Sequence, residues 1–512
     1  MKRAFALAML LAAPAFAADG DRLYTEHCAA CHGADRLGAI GPALLPENLG
    51  RLKKAEAARV IAEGRAATRM DGFGAKLNAE QIAALTDYVF SPPAAVPDWG
   101  MAEIEATRTV HAEPAKLDRP AFTADPLNLF TVVETGDHHV TILDGDRMEP
   151  VARFASRFAL HGGAKYSPDG RFVYLASRDG WVSKYDMWTG TLLAEVRAGI
   201  NTRNVAASHD GRYLAVGNVL PNTLVILDAV DLHPMDIIAV AGEKGERSRV
   251  SAVYTAPPRS SFMVALKDVP EMWELTYKDG ADPVYRGFVH NYEAGMAEGL
   301  ADNSRFPIRR IRLSEPLDDF FFDLPYRNAI GAARDGKSGR VVNLTTGREI
   351  ATIDLPGMPH LGSGITWTYQ GRPVMASPHL KEAVVSIIDM TTWKTIKRLP
   401  TLGPGFFMRG HERSPYAWID VSLGKDKDAI QIIDTTTLEI VKTLRPRPGR
   451  TAAHVEFSRD GRFALVSIME DQGELIVYDA ASFEEIKALP MRRPSGKYNV
   501  FNKITYSSGT SH

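Results

Sequence analysis

The chain has 512 residues, 45% hydrophobic and 24% charged, with a formal net charge of −2. That length allows a small domain beside one large one, and the near-zero charge argues against nucleic acid as a partner. The 42 glycines and 31 prolines point to a turn-rich β fold in the larger part.

Residues 1–17 read as a secretory signal peptide. Lys2 and Arg3 give a basic start, a short apolar run follows, and Ala15-Phe16-Ala17 is a small-residue cleavage site. The run is too short to span a bilayer, and no later segment approaches the roughly 20 apolar residues a span needs. A soluble periplasmic protein is therefore expected, without a membrane-spanning segment.

Residues 18–95 read as a small all-α domain. Gly20–His27 is expected to be helical and leads into Cys28-Ala-Ala-Cys31-His32. Two thiols three apart, followed at once by His, form the attachment signature of a covalent c-type heme, with Cys28 and Cys31 as thioether sites and His32 as iron ligand. The alternatives for such a pair are a redox dithiol or half of a zinc site, but the chain has no further cysteine. With both thiols on heme, no disulfide is expected. Further on, Arg69-Met70-Asp71-Gly72-Phe73-Gly74 precedes a helix that Asn78 can cap, with Gln81 as its capping-box partner and Ile82, Leu85 and Val89 on one face. A loop methionine just ahead of a C-terminal helix resembles the small class I cytochromes c, which makes Met70 the expected sixth ligand and Met101 the runner-up. Thioether ligation favours ferrous iron. Gly41-Pro42 resembles the loop whose carbonyl orients the heme histidine.

Residues 96–125 look like a linker, with a possible helix at 101–108. From 126 to 512 the texture changes to paired short apolar runs. The pairs are 129–134 with 140–144, 172–177 with 181–186, 213–217 with 224–228, 262–266 with 272–277, 328–333 with 341–344, 373–377 with 383–389, 417–421 with 430–434, and 463–468 with 475–479. A strand-only unit recurring at roughly 35–55 residues means an eight-bladed β-propeller rather than a β-sandwich array. Three units open with the same Ser-x-Asp-Gly-Arg turn, at Ser167, Ser208 and Ser458.

Residues 161–188, beginning His161-Gly-Gly-Ala-Lys, resemble the heme d1 domain of the cytochrome cd1 nitrite reductase family. Gly199-Ile-Asn-Thr-Arg203, Pro359-His360-Leu-Gly and Gly496-Lys-Tyr-Asn-Val-Phe-Asn502 match it in the same order. The resemblance implies that His161 is the proximal ligand of d1 iron and His360 a distal residue. It also implies that Arg157, Arg178 and Arg203 can bind the macrocycle's carboxylates. Where the reductases carry a second distal histidine, near residues 315–323, this chain has none, and Asp318 or Asp319 takes the place. Nitrite reduction consumes protons, so this departure, with a different C-terminus, points to the cytochrome-fused branch that desaturates dihydro-heme d1 to heme d1 in d1 biosynthesis for denitrification. The resemblance thus implies an oxidoreductase with one heme c and a non-covalent tetrapyrrole substrate, dihydro-heme d1. The implied partners are a periplasmic electron acceptor and the cd1 nitrite reductase as recipient of d1. His360, as iron ligand, and Asp318 or Asp319, as weaker base candidates, are the expected catalytic residues. Nitrite reductase and d1 carrier are the rival readings.

Overall fold

The computed structural model describes residues 14–39, 41–50, 52–64, 70–95, 97–286, 300–333 and 336–506. Most of the expected signal peptide, Arg69 and the last six residues lie outside them. The chain forms two compact units, divided between Asp98 and Trp99.

In the first unit the helices Pro14–His27, Lys54–Glu63 and Ala79–Phe90 gather Leu23, Tyr24, Leu49, Leu77, Leu85 and Val89 into one core. The expected capping box is present. The Asn78 side chain accepts from the Gln81 N–H at 2.9 Å, and the Gln81 side chain accepts from the Asn78 N–H at 3.0 Å. Gly20 is required where the first and last of these helices cross. A Cβ there would stand 2.8 Å from the Ala84 carbonyl oxygen.

The second unit is an eight-bladed β-propeller, each blade an antiparallel sheet running outward from a central channel. Blade 1 is closed by the two ends of the unit. Its innermost strand is Pro494–Asn499, paired with Leu129–Glu134, then His139–Asp144 and Glu149–Ala155. Each of the eight pairs read from the sequence is the second and third strand of a blade. The innermost strands of blades 2 to 8 are Lys165–Tyr166, Asn201–Ala207, Val250–Ala256, Leu317–Phe322, Ile365–Tyr369, Met408–Arg409 and Ala452–Phe457. A two-stranded ribbon, Tyr285–Arg286 with Leu300–Ala301, interrupts blade 4.

The core lies between neighbouring blades. Tyr174, Val205, Leu214 and Leu227 join blades 2 and 3; Trp418, Val455, Phe457 and Ile476 join blades 7 and 8. The repeated turn has one chemistry in all three places. The serine hydroxyl donates to the aspartate two residues on and accepts the N–H five residues on, at 2.9–3.0 Å. The glycine of each turn adopts φ of +74° to +76°.

The stretch expected to be a linker is seated on the propeller from Trp99 onward. The Trp99 indole donates to the Arg197 carbonyl at 2.8 Å. Helix Met101–Thr107 buries Ile104 fully among Val196, Val205 and Leu227. Thr109–Val110 then adds a fifth strand to blade 2. A seven-residue helix with one apolar anchor gave too little periodic signal to assign it to the larger domain.

Candidate functional site

The first unit carries a heme attachment site. Cys28 caps the one-turn helix Ala29–His32, Cys31 is exposed, and His32 is buried. His32 Nδ1 donates to the Pro42 carbonyl at 2.8 Å, which fixes the ring and leaves Nε2 as the lone-pair nitrogen. Gly41 permits the contact, since a Cβ there would stand 2.8 Å from His32 Cε1. Burial holds His32 below its ordinary pKa, in the neutral form that ligates metal. Burial and the neighbouring Cys31 push the Cys28 thiol up to about 11. Zinc binding and dithiol exchange need thiolates, so this environment disfavours both alternatives. The described residues also contain no cluster of three His, Cys, Asp or Glu suited to a free metal ion. The donor set therefore fits a c-type heme.

Met70 begins a loop strapped along the end of helix Lys54–Glu63. Phe73 N–H bonds the Ile61 carbonyl and Gly74 N–H bonds the Ala62 carbonyl, both at 2.9 Å. Gly72 is needed here, because its Cβ would fall 2.7 Å from the Ala62 carbonyl oxygen. The runner-up, Met101, starts the helix packed on the propeller and belongs to the other unit.

In the propeller, residues from all eight blades meet around the channel, and their contacts run full circle. His161 precedes the inner strand of blade 2, and its Nδ1 donates to the Arg203 carbonyl on blade 3 at 2.8 Å. Arg203 Nε reaches the Ser251 carbonyl on blade 4. On the same strand the Tyr254 hydroxyl donates to Asp319 Oδ1 of blade 5 at 2.9 Å. Asp319 Oδ2 accepts the Gly362 N–H at 3.1 Å, just after His360 at the start of blade 6. His360 Nδ1 donates to the Phe406 carbonyl at 2.8 Å, and its ring lies 4.3 Å from that of Phe406, which precedes blade 7. Phe407 packs on His454 of blade 8 at 4.6 Å, and His454 on Tyr498 of blade 1 at 5.4 Å. Gly163 closes the circle; a Cβ there would stand 3.2 Å from the Tyr498 ring. Its φ of +75° also demands glycine.

Each imidazole is set up as a ligand. His161 and His360 both spend Nδ1–H on a backbone carbonyl, which makes Nε2 the lone-pair nitrogen of each ring. Burial keeps His360 below its ordinary pKa, although Asp319 pulls the other way. The charge of Arg203 also reaches His360, so one residue touches the surroundings of both histidines. The Nε2 of His161 lies 2.7 Å from a guanidinium nitrogen of Arg178.

The aspartates and arginines divide. Asp318 and Asp319 lie at a register shift in the inner strand of blade 5 and have different partners. Asp319 is 8% exposed and joins the circle, whereas Asp318 pairs with Lys267 at 3.0 Å and stays a third exposed. Arg178 and Arg203 belong to the site. Arg157 does not offer the free fork expected of it. Its guanidinium makes two bonds to Glu195, at 2.9 and 2.8 Å, and stacks 3.7 Å from the Trp181 ring. Glu195 is buried and would be left unpaired if Arg157 turned to a ligand.

Sequence reasoning missed Tyr254, Phe406, Phe407 and His454. His454 is the most informative of these. It adopts φ +53° in a bulge of its strand, and its backbone N–H bonds Asp420 at 3.0 Å. Its Nε2 is buried without a hydrogen-bond partner. Burial, with Lys497 and Arg409 beside it, holds it neutral, well below its ordinary pKa. Lys497 Nζ lies 3.4 Å from His454 Nδ1, and burial draws that lysine well below the usual amine range. A signal for His454 was available. His161, Arg203 and His454 stand six, five and four residues ahead of the repeated turns at Ser167, Ser208 and Ser458, each on the approach to or within an innermost strand.

Comparison with known proteins agrees with this geometry. Residues 124–503 match the cytochrome D1 heme domain family, and residues 15–89 match the family described as cytochrome C oxidase, cbb3-type, subunit III. The chain is 54% identical over 510 residues, 99% of both chains, to dihydro-heme d1 dehydrogenase of Pseudomonas aeruginosa. It is 24% identical over 539 residues to nitrite reductase of Stutzerimonas stutzeri, covering 94% of this chain and 92% of that one. The solved structure of dihydro-heme d1 dehydrogenase NirN in complex with DHE superposes with a TM-score of 0.88 at 53% identity, covering 95% of this chain and all of that one.

Proposed function

The chain belongs to the cytochrome D1 heme family, in the branch of the dihydro-heme d1 dehydrogenases, and on that footing we propose that it desaturates one propionate of dihydro-heme d1 to an acrylate, giving heme d1. The observation that carries the reading is the closed circle of eight blades, with two imidazoles whose Nδ1 atoms are tied to backbone carbonyls. His161 and His360 hold the substrate through its iron, and Arg178 and Arg203 bind its carboxylates bidentately.

The reaction converts CH2–CH2 to CH=CH, releasing two protons and two electrons. His454 is the proton acceptor, being neutral, buried and unpartnered at Nε2. Lys497, near its Nδ1 and drawn by burial well below the usual amine range, can take the proton onward and return the imidazole to its basic form. Asp319 stands in place of a second distal histidine. It is held by Tyr254 and backbone N–H groups as a fixed acceptor, which suits orientation of His360 rather than proton delivery to an oxyanion. Heme c, when bound to Cys28, Cys31 and His32, supplies a one-electron relay toward an acceptor. Secretion to the periplasm and transfer of d1 to the cd1 nitrite reductase complete the proposal. No helix among the described residues is long and apolar enough to cross a membrane.

The test is anaerobic addition of dihydro-heme d1 to the oxidised protein. Each substrate converted should reduce two equivalents of heme c, because one heme accepts one electron. Formation of heme d1 with no heme c reduction would overturn the electron route. Nitrite turnover rivalling that of the cd1 reductases, without dihydro-heme d1 oxidation, would make the reductase reading the better one.

A further inference from the structure

A carboxylate taken out of water must be met by hydrogen-bond donors. Asp420, the last residue of the strand Tyr416–Asp420 in blade 7, is fully buried, and its donors come from two directions. Oδ1 accepts the N–H groups of Phe406 and Phe407 at 2.8 and 3.2 Å and the Ser422 hydroxyl at 3.2 Å. Oδ2 accepts the N–H of His454, on blade 8, at 3.0 Å. Each backbone segment held in this way sets one imidazole of the site. Phe406 offers its carbonyl to His360 Nδ1 at 2.8 Å, and His454 is itself the other imidazole. We infer, on the proposed roles of His360 and His454, that Asp420 is a positioning residue tying the distal iron ligand to the proton acceptor, so that a shift at either is felt at the other.

The tie is short. Between His454 N–H and His360 Nδ1–H stand one carboxylate and one residue, Phe406. The aromatic rings repeat the same path: Phe406 lies 4.3 Å from His360, Phe407 4.5 Å from Phe406, and His454 4.6 Å from Phe407. His454 needs an outside hold, because its φ of +53° is costly and its strand is bulged there. Desaturation requires iron on His360 while a propionate hydrogen faces His454 Nε2. The spacing between the two imidazoles therefore matters more than the position of either, and a misplacement of about 1 Å costs about 100-fold in rate.

Asparagine is the isosteric probe, with one carbonyl oxygen where aspartate has two acceptors. Keeping Phe406 and Phe407 on that oxygen retains two backbone bonds against one, and turns the amide NH2 toward the His454 N–H, donor to donor. In heme c-loaded Asp420→Asn protein, dihydro-heme d1 should bind within about threefold of wild type and keep its low-spin spectrum, while desaturation slows about 100-fold. Asp420→Ala frees both sides and should weaken the low-spin spectrum as well. Gly405→Ala strikes the other side without altering the carboxylate, since a Cβ there would stand 2.6 Å from the Asp420 carbonyl oxygen. It should lower the low-spin fraction and the rate together, and its effect on rate should largely vanish in the Asp420→Asn background. Full additivity of the two substitutions overturns the tie. So does an Asp420→Asn rate within about threefold of wild type, whatever happens to its stability.

Turnover is not needed to judge the tie. Histidine-¹⁵N-labelled protein should show the His454 backbone amide signal shifting in Asp420→Asn, and an unmoved signal overturns it. Iron protoporphyrin IX should give a low-spin spectrum that Gly405→Ala weakens and Asp420→Asn keeps; no weakening in Gly405→Ala overturns it too. If these hold and the wild type does not desaturate dihydro-heme d1, the tie stands and the proposed reaction is wrong. If the Asp420 variants do not fold, Gly405→Ala decides alone: a loss of low-spin fraction with the rate unchanged overturns the tie.

Discussion

His454 holds a backbone conformation that costs a non-glycine residue energy, and it does so inside a strand. Asp420 compensates by accepting three backbone N–H groups, from Phe406, Phe407 and His454. Strain of this kind keeps a side chain aimed where regular strand geometry would not put it. His454→Gln should therefore lower the rate of dihydro-heme d1 desaturation by about 10²–10⁴-fold, the usual worth of a general base. The low-spin spectrum of bound substrate should stay, because His161 and His360 are intact. Stopped-flow rates set beside equilibrium binding check it, and loss of binding in step with rate would make His454 a positioning residue. Met70→His should leave the heme attached at Cys28 and Cys31 but lower its potential, because imidazole favours ferric iron more than thioether does. The near-infrared methionine–iron band reports directly, and its survival would dismiss Met70.

Among the elements, the middle strands of each blade are legible because both their faces are buried, which writes continuous apolar runs into the sequence. Outer strands such as Glu439–Leu444 are largely exposed and carry mixed residues. Inner strands such as Lys165–Tyr166 and Met408–Arg409 are two residues long. The inner strands are where the site lies, so the elements hardest to read carry the chemistry. Bulges at Leu317/Asp319 and Ala453/Val455 add to this, since a one-residue slip reverses which side chain faces the channel. Helix Met101–Thr107 is a second element whose place only packing reveals. Ile104→Ala should destabilise the propeller by about 2–5 kcal/mol, the range for truncating a buried aliphatic side chain. Chemical denaturation followed by tryptophan fluorescence measures it. A cost below about 1 kcal/mol would mean the helix is not part of the folded unit.

For the molecule as a whole, burial shifts several titratable groups of the propeller toward their uncharged forms. His360, His379, His411 and His454 all lie below their ordinary value of 6.5, each chiefly through burial, and burial brings Lys165 down to about 8. The unfolded chain then binds more protons than the folded one across the interval between the two values, so stability rises with pH there. The histidine contribution is present above 6.5 and is lost as pH falls below it. Lys165 adds a further increment as pH climbs past 8 toward 10.5. Calorimetry of tetrapyrrole-free protein should give a lower Tm near about pH 5.5 than near about pH 7.5, the sign set by depressed histidines. A flat or inverted dependence would mean that these histidines are protonated in the fold. Iron ligation to His161 and His360 should enlarge the difference, because a ligated imidazole takes up no proton in the fold while the unfolded chain still does.

The sequence alone determined the features that depend on neighbours along the chain. Cys28, Cys31 and His32 share one turn of helix, the Asn78–Gln81 cap spans three residues, and the blade period is written in local runs of apolar residues. The resemblance of four segments added His161 and His360, which stand on blades far apart in sequence. Local pattern has no information about which side chains from distant blades share a channel. Only the tertiary structure decided that Asp319 and not Asp318 faces His360, that Arg157 is held by Glu195, and that His454 joins the circle through Phe407 and Tyr498. A propeller gathers one residue from each of eight blades at its axis. The long-range register that brings them together is fixed by closure of the ring, with Pro494–Asn499 set beside Leu129–Glu134.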